Sequence, residues 1–104
     1  MYTAQNYYFA ESLDDAADLV AKNRRNVILG GGMWLRMTNR PLQTVIDLSR
    51  LGLDQIEETE DEVIIGAMVT LRGMETAACL QKLFGGVLPQ CVASIVGVQF
   101  RNMA

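Results

Sequence analysis

The 104-residue chain contains no histidine, which removes the Ser-His-Asp triad, the Cys-His dyad and every His-ligated metal centre from consideration. Its two cysteines, Cys79 and Cys91, are too few and too far apart to build a zinc site. Long hydrophobic runs are also missing. No stretch approaches the ~18 residues of a membrane span, so no membrane partner is expected. The opening MYTAQNYYFAES lacks a basic segment followed by an apolar one and does not read as a signal peptide. Basic residues are in the minority: 9 Lys and Arg against 12 acids leave a net charge of −3, which argues against a nucleic-acid partner. What remains is globular composition, half apolar and one fifth charged, and one domain's length. The expectation is a soluble cytoplasmic domain with reduced thiols.

The charge is unevenly spread. Residues 1–62 hold 11 acids and 6 bases, and residues 63–104 hold 1 acid and 3 bases. Most of the acidity lies in DQIEETEDE, residues 54–62, with six carboxylates in nine positions. This reads as a solvated hairpin edge. A divalent-cation site is the sharper alternative, but the EF-hand spacing and its central glycine are absent. Arg24 and Arg25 are expected to end a helix, where cations suit the dipole.

The segment NYYFA, residues 6–10, reads as a strand, with Tyr7, Tyr8 and Phe9 as core or edge aromatics. Ser12 then stands as an N-cap, with Asp15 in the place of a capping-box acid. Leu13, Ala16, Ala17, Leu19 and Val20 recur at near-helical spacing, predicting a helix over residues 13–23. Val27, Ile28 and Leu29 form a short apolar run, the pattern of a buried parallel strand. Residues 34–40 read as a helical turn stopped by Pro41, and TVIDLS, residues 44–49, as a second buried strand. IEETEDEVIIGA predicts a hairpin of residues 55–59 and 62–67. Thr70 caps a helix expected over residues 71–83, ended by Gly85 and Gly86. Pro89 opens a last helix whose stripe is Val92, Ile95, Val96 and Phe100. Cys79 and Cys91 are expected as buried thiols on these two helices. The fold class is α+β, with a small βαβ-like start followed by a hairpin and two helices.

The informative motif is VILGGGMWL. Three consecutive glycines, Gly30, Gly31 and Gly32, follow a strand and precede a helical turn. A diphosphate needs several backbone N–H donors converging on its oxygens, and a Cβ at those positions blocks the approach. A helix N-terminus just beyond adds a favourable partial charge. The run lacks the GxGxxG dinucleotide pattern and the Lys-Ser/Thr of a P-loop. Arg36 is a candidate phosphate contact. Trp34 is a candidate for stacking on an adenine or flavin ring, against packing as an anchor beside the loop.

The succession YYFAESLDDAADLV, VILGGGMWLRM, TVIDLSRL, VIIGAMVTLRGME and VQFRNMA resembles the FAD-binding subunit of molybdenum hydroxylases, the xanthine dehydrogenase and carbon monoxide dehydrogenase relatives. The resemblance runs from about residue 6 to residue 104. It implies a PCMH-type FAD-binding domain, of which residues 1–104 form the N-terminal portion. Leu29, Gly30, Gly31, Gly32, Met33, Trp34 and Leu35 match the loop that holds the FAD diphosphate in that family. The resemblance further implies that the flavin relays electrons between an iron–sulfur partner and NAD, while a molybdopterin subunit hydroxylates the substrate. It places the start of a helix at Thr70. Arg101 and Asn102 would run into a second glycine loop of the type Thr-Ile-Gly-Gly, which also holds the cofactor.

Two departures from the family pattern stand out. The family often carries Thr or Ser, then Asp or Asn, after the glycines, where this chain has Met33 and Trp34. Loss of one charge-assisted hydrogen bond is worth ~1.5–3 kcal/mol, roughly ten- to hundredfold in affinity. The chain also stops at Ala104, before the second loop. Two expectations follow. One is an FAD-binding component of a molybdopterin-dependent oxidoreductase, inactive alone and without a catalytic side chain of its own. The other is a truncated, non-catalytic domain that folds and self-associates as a homo-oligomer without cofactor.

Overall fold

A computed structural model describes residues 2–104 of the chain. It resolves into two compact units, the first ending at Leu53 and the second covering Asp54–Ala104. The α+β class expected from the sequence is the class observed.

The first unit contains β1 (Thr3–Phe9), α1 (Leu13–Lys22), β2 (Val27–Leu29), one 3-10 turn at Leu35–Met37, and β3 (Pro41–Asp47). The sheet order is β1-β3-β2 and both pairings are parallel. The central strand is the one with the densest apolar run: Leu42, Val45, Ile46 and the following Leu48 are all buried, as expected of a strand flanked on both sides. It starts at Pro41, three residues earlier than its apolar core suggests. Proline lacks an N–H for the ladder but is tolerated as the first residue of a strand. The strand β2 is parallel as predicted but lies at the sheet edge, so Ile28 is 47% exposed rather than buried.

Helix α1 begins as its sequence predicts. The Ser12 hydroxyl accepts the Asp15 amide at 3.0 Å, and the Asp15 carboxylate accepts the Glu11 amide at 3.1 Å and the Tyr8 hydroxyl at 2.8 Å. The Glu11 amide, and after it the Tyr8 hydroxyl, hold the Asp15 carboxyl below its ordinary range. The helix stops at Lys22, short of Arg24 and Arg25, which therefore do not sit in its last turn. Asn23 explains the early stop. Its side chain accepts the Arg25 amide at 2.8 Å and its carbonyl accepts the Asn26 amide at 2.9 Å, a local turn that competes with helical bonding.

The second unit contains the antiparallel hairpin β4 (Ile56–Glu58) and β5 (Val63–Ile65), then α2 (Leu71–Thr76), α3 (Ala78–Lys82), a turn through Leu83–Gly86, α4 (Val87–Ala93) and α5 (Val98–Arg101). The Thr70 hydroxyl caps α2 by accepting the Gly73 amide at 3.0 Å. Each of the two expected helical stretches is divided. Ala77 takes an extended conformation (φ −66°, ψ 120°) and separates α2 from α3. Ser94 to Gly97 separate α4 from α5, so Ile95 and Val96 join no continuous stripe; Val96 is exposed at φ +49°. Leu80, Val92 and Phe100 form the buried apolar core of this unit. Arg101 is buried with them. Its Nε donates to Glu75 Oε2 at 2.9 Å and its Nη1 to the Ile95 carbonyl at 2.8 Å. Cys79 is half-buried, whereas Cys91 is exposed; both are free thiols.

Candidate functional site

In a parallel sheet every strand ends at the same edge, and that carboxyl edge is where open α/β sheets take their ligands. Here β1 ends at Phe9, β2 at Leu29 and β3 at Asp47, three residues placed side by side by the register. The glycine run leaves this edge directly after Leu29.

Three observations describe the loop. Gly31 and Gly32 have φ of +71° and +74°, the left-handed region that residues with a Cβ enter only at a cost. A Cβ at Gly32 would also lie 3.0 Å from Leu29 Cδ1. Gly30 is different: its φ lies outside that region and a Cβ there would meet nothing within 4 Å. Neither backbone conformation nor internal packing requires glycine at position 30, so the open space in front of it is the feature a glycine preserves. Finally, the amides of Gly30, Gly31 and Gly32 donate to no acceptor among the described residues. The Gly32 carbonyl accepts the Arg36 amide at 3.0 Å, so the loop is closed through its acceptors while its donors stay available. Successive free amides on a left-handed stretch form an anion-binding concavity. These residues fit a diphosphate.

The helical turn after the loop is smaller than the sequence suggests. Only Leu35–Met37 are helical, in 3-10 form. One such turn supplies little aligned dipole, so any anion grip rests on the loop amides. Met33 and Leu35 are half-buried, Trp34 is 55% exposed, and Gly30 and Gly31 are exposed. The Arg36 guanidinium reaches Met33 Sδ at 3.9 Å, which keeps a cation beside the loop.

The sequence reading missed the cluster next to it. Asp47 is buried at the end of β3. Its Oδ2 accepts the Tyr7 hydroxyl and its Oδ1 accepts the Ser49 amide at 2.8 Å. Burial pushes the Asp47 carboxyl up, but the Tyr7 and Ser49 hydrogen bonds and the charge of Arg50 outweigh it, and the net shift is downward. The hydrogen bond to Asp47, with desolvation second, raises the Tyr7 phenol to about 12. The Arg50 guanidinium lies 3.6 Å from the Phe9 ring centroid, and Tyr7 and Phe9 meet edge to face at 5.2 Å. This network ties the end of β1 to the end of β3, the strand that pairs with β2 beneath the loop. A carboxylate closing an otherwise apolar run, VID in TVIDLS, was the available signal.

Among the described residues no three His, Cys, Asp or Glu side chains converge as a metal-binding group, and no helix is long and apolar enough to cross a membrane.

A family model described as the FAD binding domain in molybdopterin dehydrogenase matches residues 2–104. Among solved structures, the reconstituted CO dehydrogenase from Oligotropha carboxidovorans is 25% identical, with a TM-score of 0.85. The carbon monoxide dehydrogenase from Hydrogenophaga pseudoflava that lacks the Mo-pyranopterin moiety of the molybdenum cofactor is 24% identical, with a TM-score of 0.86. Quinoline 2-oxidoreductase from Pseudomonas putida 86 is 24% identical, with a TM-score of 0.82. Each match covers 100% of this chain and 38% of the other, so the chain spans well under half the length of these relatives. No curated protein matches it.

Proposed function

The chain belongs to the family of FAD-binding domains of molybdopterin dehydrogenases, and from that premise we propose that residues 29–35 hold the FAD diphosphate through the amides of Gly30, Gly31 and Gly32. The carrying observation is that these three donors meet no acceptor among the described residues while the space in front of Gly30 is open. Leu29 ends the strand that anchors the cradle, and Leu35 begins the turn that closes it. Met33 and Trp34 supply no hydroxyl or carboxamide, so the grip is made by main chain. Trp34, with more than half its surface exposed, is the aromatic residue next to the cradle in the chain and the candidate for stacking.

When bound, the flavin supplies the capacity to take up and hand on electrons. This chain's residues bind and orient it, and none is assigned a proton-transfer role. In the full assembly we place the flavin between an iron–sulfur partner and NAD, with substrate hydroxylation on a molybdopterin subunit. Residues 1–104 are then the N-terminal portion of the FAD-binding domain and have no activity alone. The two free thiols, one of them exposed, support a reducing, cytoplasmic setting.

The test is Gly30→Val together with Gly31→Val, read by FAD uptake in a titration. Loss of uptake in both, with the Gly30 variant still folded, supports the cradle. Undiminished uptake in both variants rejects it. A second reading, the cofactor-free module that self-associates, draws on the exposed Trp34 and Met37 beside the loop. It predicts concentration-dependent sedimentation that Trp34→Ser abolishes and FAD does not change.

A further inference from the structure

Away from the glycine loop, the second unit has a cleft of about 420 Å³ between its hairpin and its helices. The register of the hairpin explains the lining. Glu58 pairs with Val63 and Ile56 with Ile65, so these four residues share one face, while Glu57 and Ile64 take the other. Val63 and Ile65 on the first face, with Leu80 of α3 and Leu88 of α4, give the cleft apolar walls. Leu80 is fully buried and forms its floor.

The hairpin tip adds charge. Thr59 closes a two-residue turn: its amide donates to the Glu62 carbonyl at 2.8 Å and its hydroxyl accepts the Glu62 amide at 3.1 Å. The turn carries Glu60 and Asp61, and with Glu58 and Glu62 it brings four acidic residues to the lining of the cleft. None of the four has an ion-pair partner among the described residues, and the described lining includes no Lys or Arg. Phe84, from the turn after α3, also lines the cleft. It is 81% exposed and held at φ +49°, ψ 38°, a left-handed conformation that a residue with a bulky side chain seldom adopts. An aromatic ring displayed to solvent on a strained backbone is not explained by packing within the fold.

We propose that this cleft is a docking site for a cationic amphipathic segment of a partner protein. The apolar side chains of the segment would enter the trough against Leu80 and under Phe84, and its Lys or Arg residues would lie along the unpaired carboxylates of the hairpin. Charge complementarity selects this occupant: a neutral or acidic apolar segment would leave four carboxylates unpaired beside it, and a bare cation would leave Phe84 and the apolar walls in water.

The probe is a 14-residue amphipathic Leu/Lys peptide, titrated into the isotopically labelled 104-residue chain and followed by amide NMR shifts. A Leu/Glu peptide with the same apolar pattern is the comparison. The Leu/Lys peptide is expected to shift residues 58–65 and 80–88 saturably and to bind about tenfold more weakly at high salt. Glu60→Lys with Asp61→Lys should weaken it at least tenfold. Phe84→Asn should do the same while relieving the left-handed strain, since Asn tolerates that region. Asp14→Lys with Asp18→Lys on the exposed face of α1 should leave affinity unchanged. Shifts scattered over other acidic surfaces, equal binding of the Leu/Glu peptide, or undiminished binding by Phe84→Asn would overturn the proposal. So would self-association of the chain through the same residues without peptide, or the same shifts from calcium alone.

Discussion

Gly30, Gly31 and Gly32 stand side by side in the chain yet answer to different constraints, and substitution separates them. Gly32→Ala brings a methyl to 3.0 Å from Leu29 Cδ1 at φ +74° and should cost about 1–2 kcal/mol, lowering Tm by roughly 4–8 °C or more in a domain this small. Gly30→Ala faces no such penalty. Its Tm should stay within about 4 °C of the parent, while FAD affinity falls because the methyl occupies the anion's approach. Paired thermal melts and FAD titrations check both. Asp47 gives a pH dependence of definite sign. Its carboxyl is depressed in the folded state, so its contribution is present above the ordinary carboxylate value of about 4 and is lost as pH falls through its lower folded value. Acid-melt curves of Asp47→Asn should therefore be flatter below pH ~4 than those of the parent. Tyr7 works in the opposite direction. With its phenol raised to about 12, it contributes below its ordinary value of about 10 and loses that contribution as pH rises through 12. Alkaline melts of Tyr7→Phe should lack this last loss.

Among the elements, α1 and α2 start where a side-chain oxygen caps them, at Ser12 and Thr70. Thr70→Ala should cost about 1 kcal/mol, readable as a shift in urea midpoint at constant slope. The pair Glu75–Arg101 ties α2 to α5, and Arg101→Ala should lower Tm more than Arg72→Ala. Arg101 is buried and also holds the Ile95 carbonyl, whereas Arg72 Nη1, 2.9 Å from Glu75, sits on a side chain 40% exposed. Element starts were legible in the sequence because caps are local chemistry written in one or two residues. Element ends were less so. The stop of α1 at Lys22 depends on Asn23 using its side chain on the Arg25 amide, and the breaks at Ala77 and at Ser94 to Gly97 carry no proline. Apolar spacing continued across both breaks, so periodicity alone predicted longer helices. Strand polarity was legible from the continuous apolar runs, but strand position was not. Whether β2 or β3 took the sheet centre depended on pairing, and Ile28 was left half in solvent.

At the scale of the whole molecule, the parallel sheet accounts for the location of the candidate site. Three strands ending at one edge bring residues 9, 29 and 47 into a row. The Tyr7–Asp47 hydrogen bond braces that row, and the glycine loop rises from its flank. The loop was visible in the sequence because three adjacent glycines are a strong local signal. The brace was not, because it joins residues forty positions apart. The most direct measurement is an amide NMR titration of the 104-residue chain with FAD, ADP and adenosine. FAD and ADP are expected to shift the Gly30, Gly31 and Gly32 amides saturably, adenosine is expected to leave them in place, and Gly30→Val should remove the response. Glycine amides unmoved by FAD while resonances elsewhere shift, or moved equally by adenosine, would contradict the cradle.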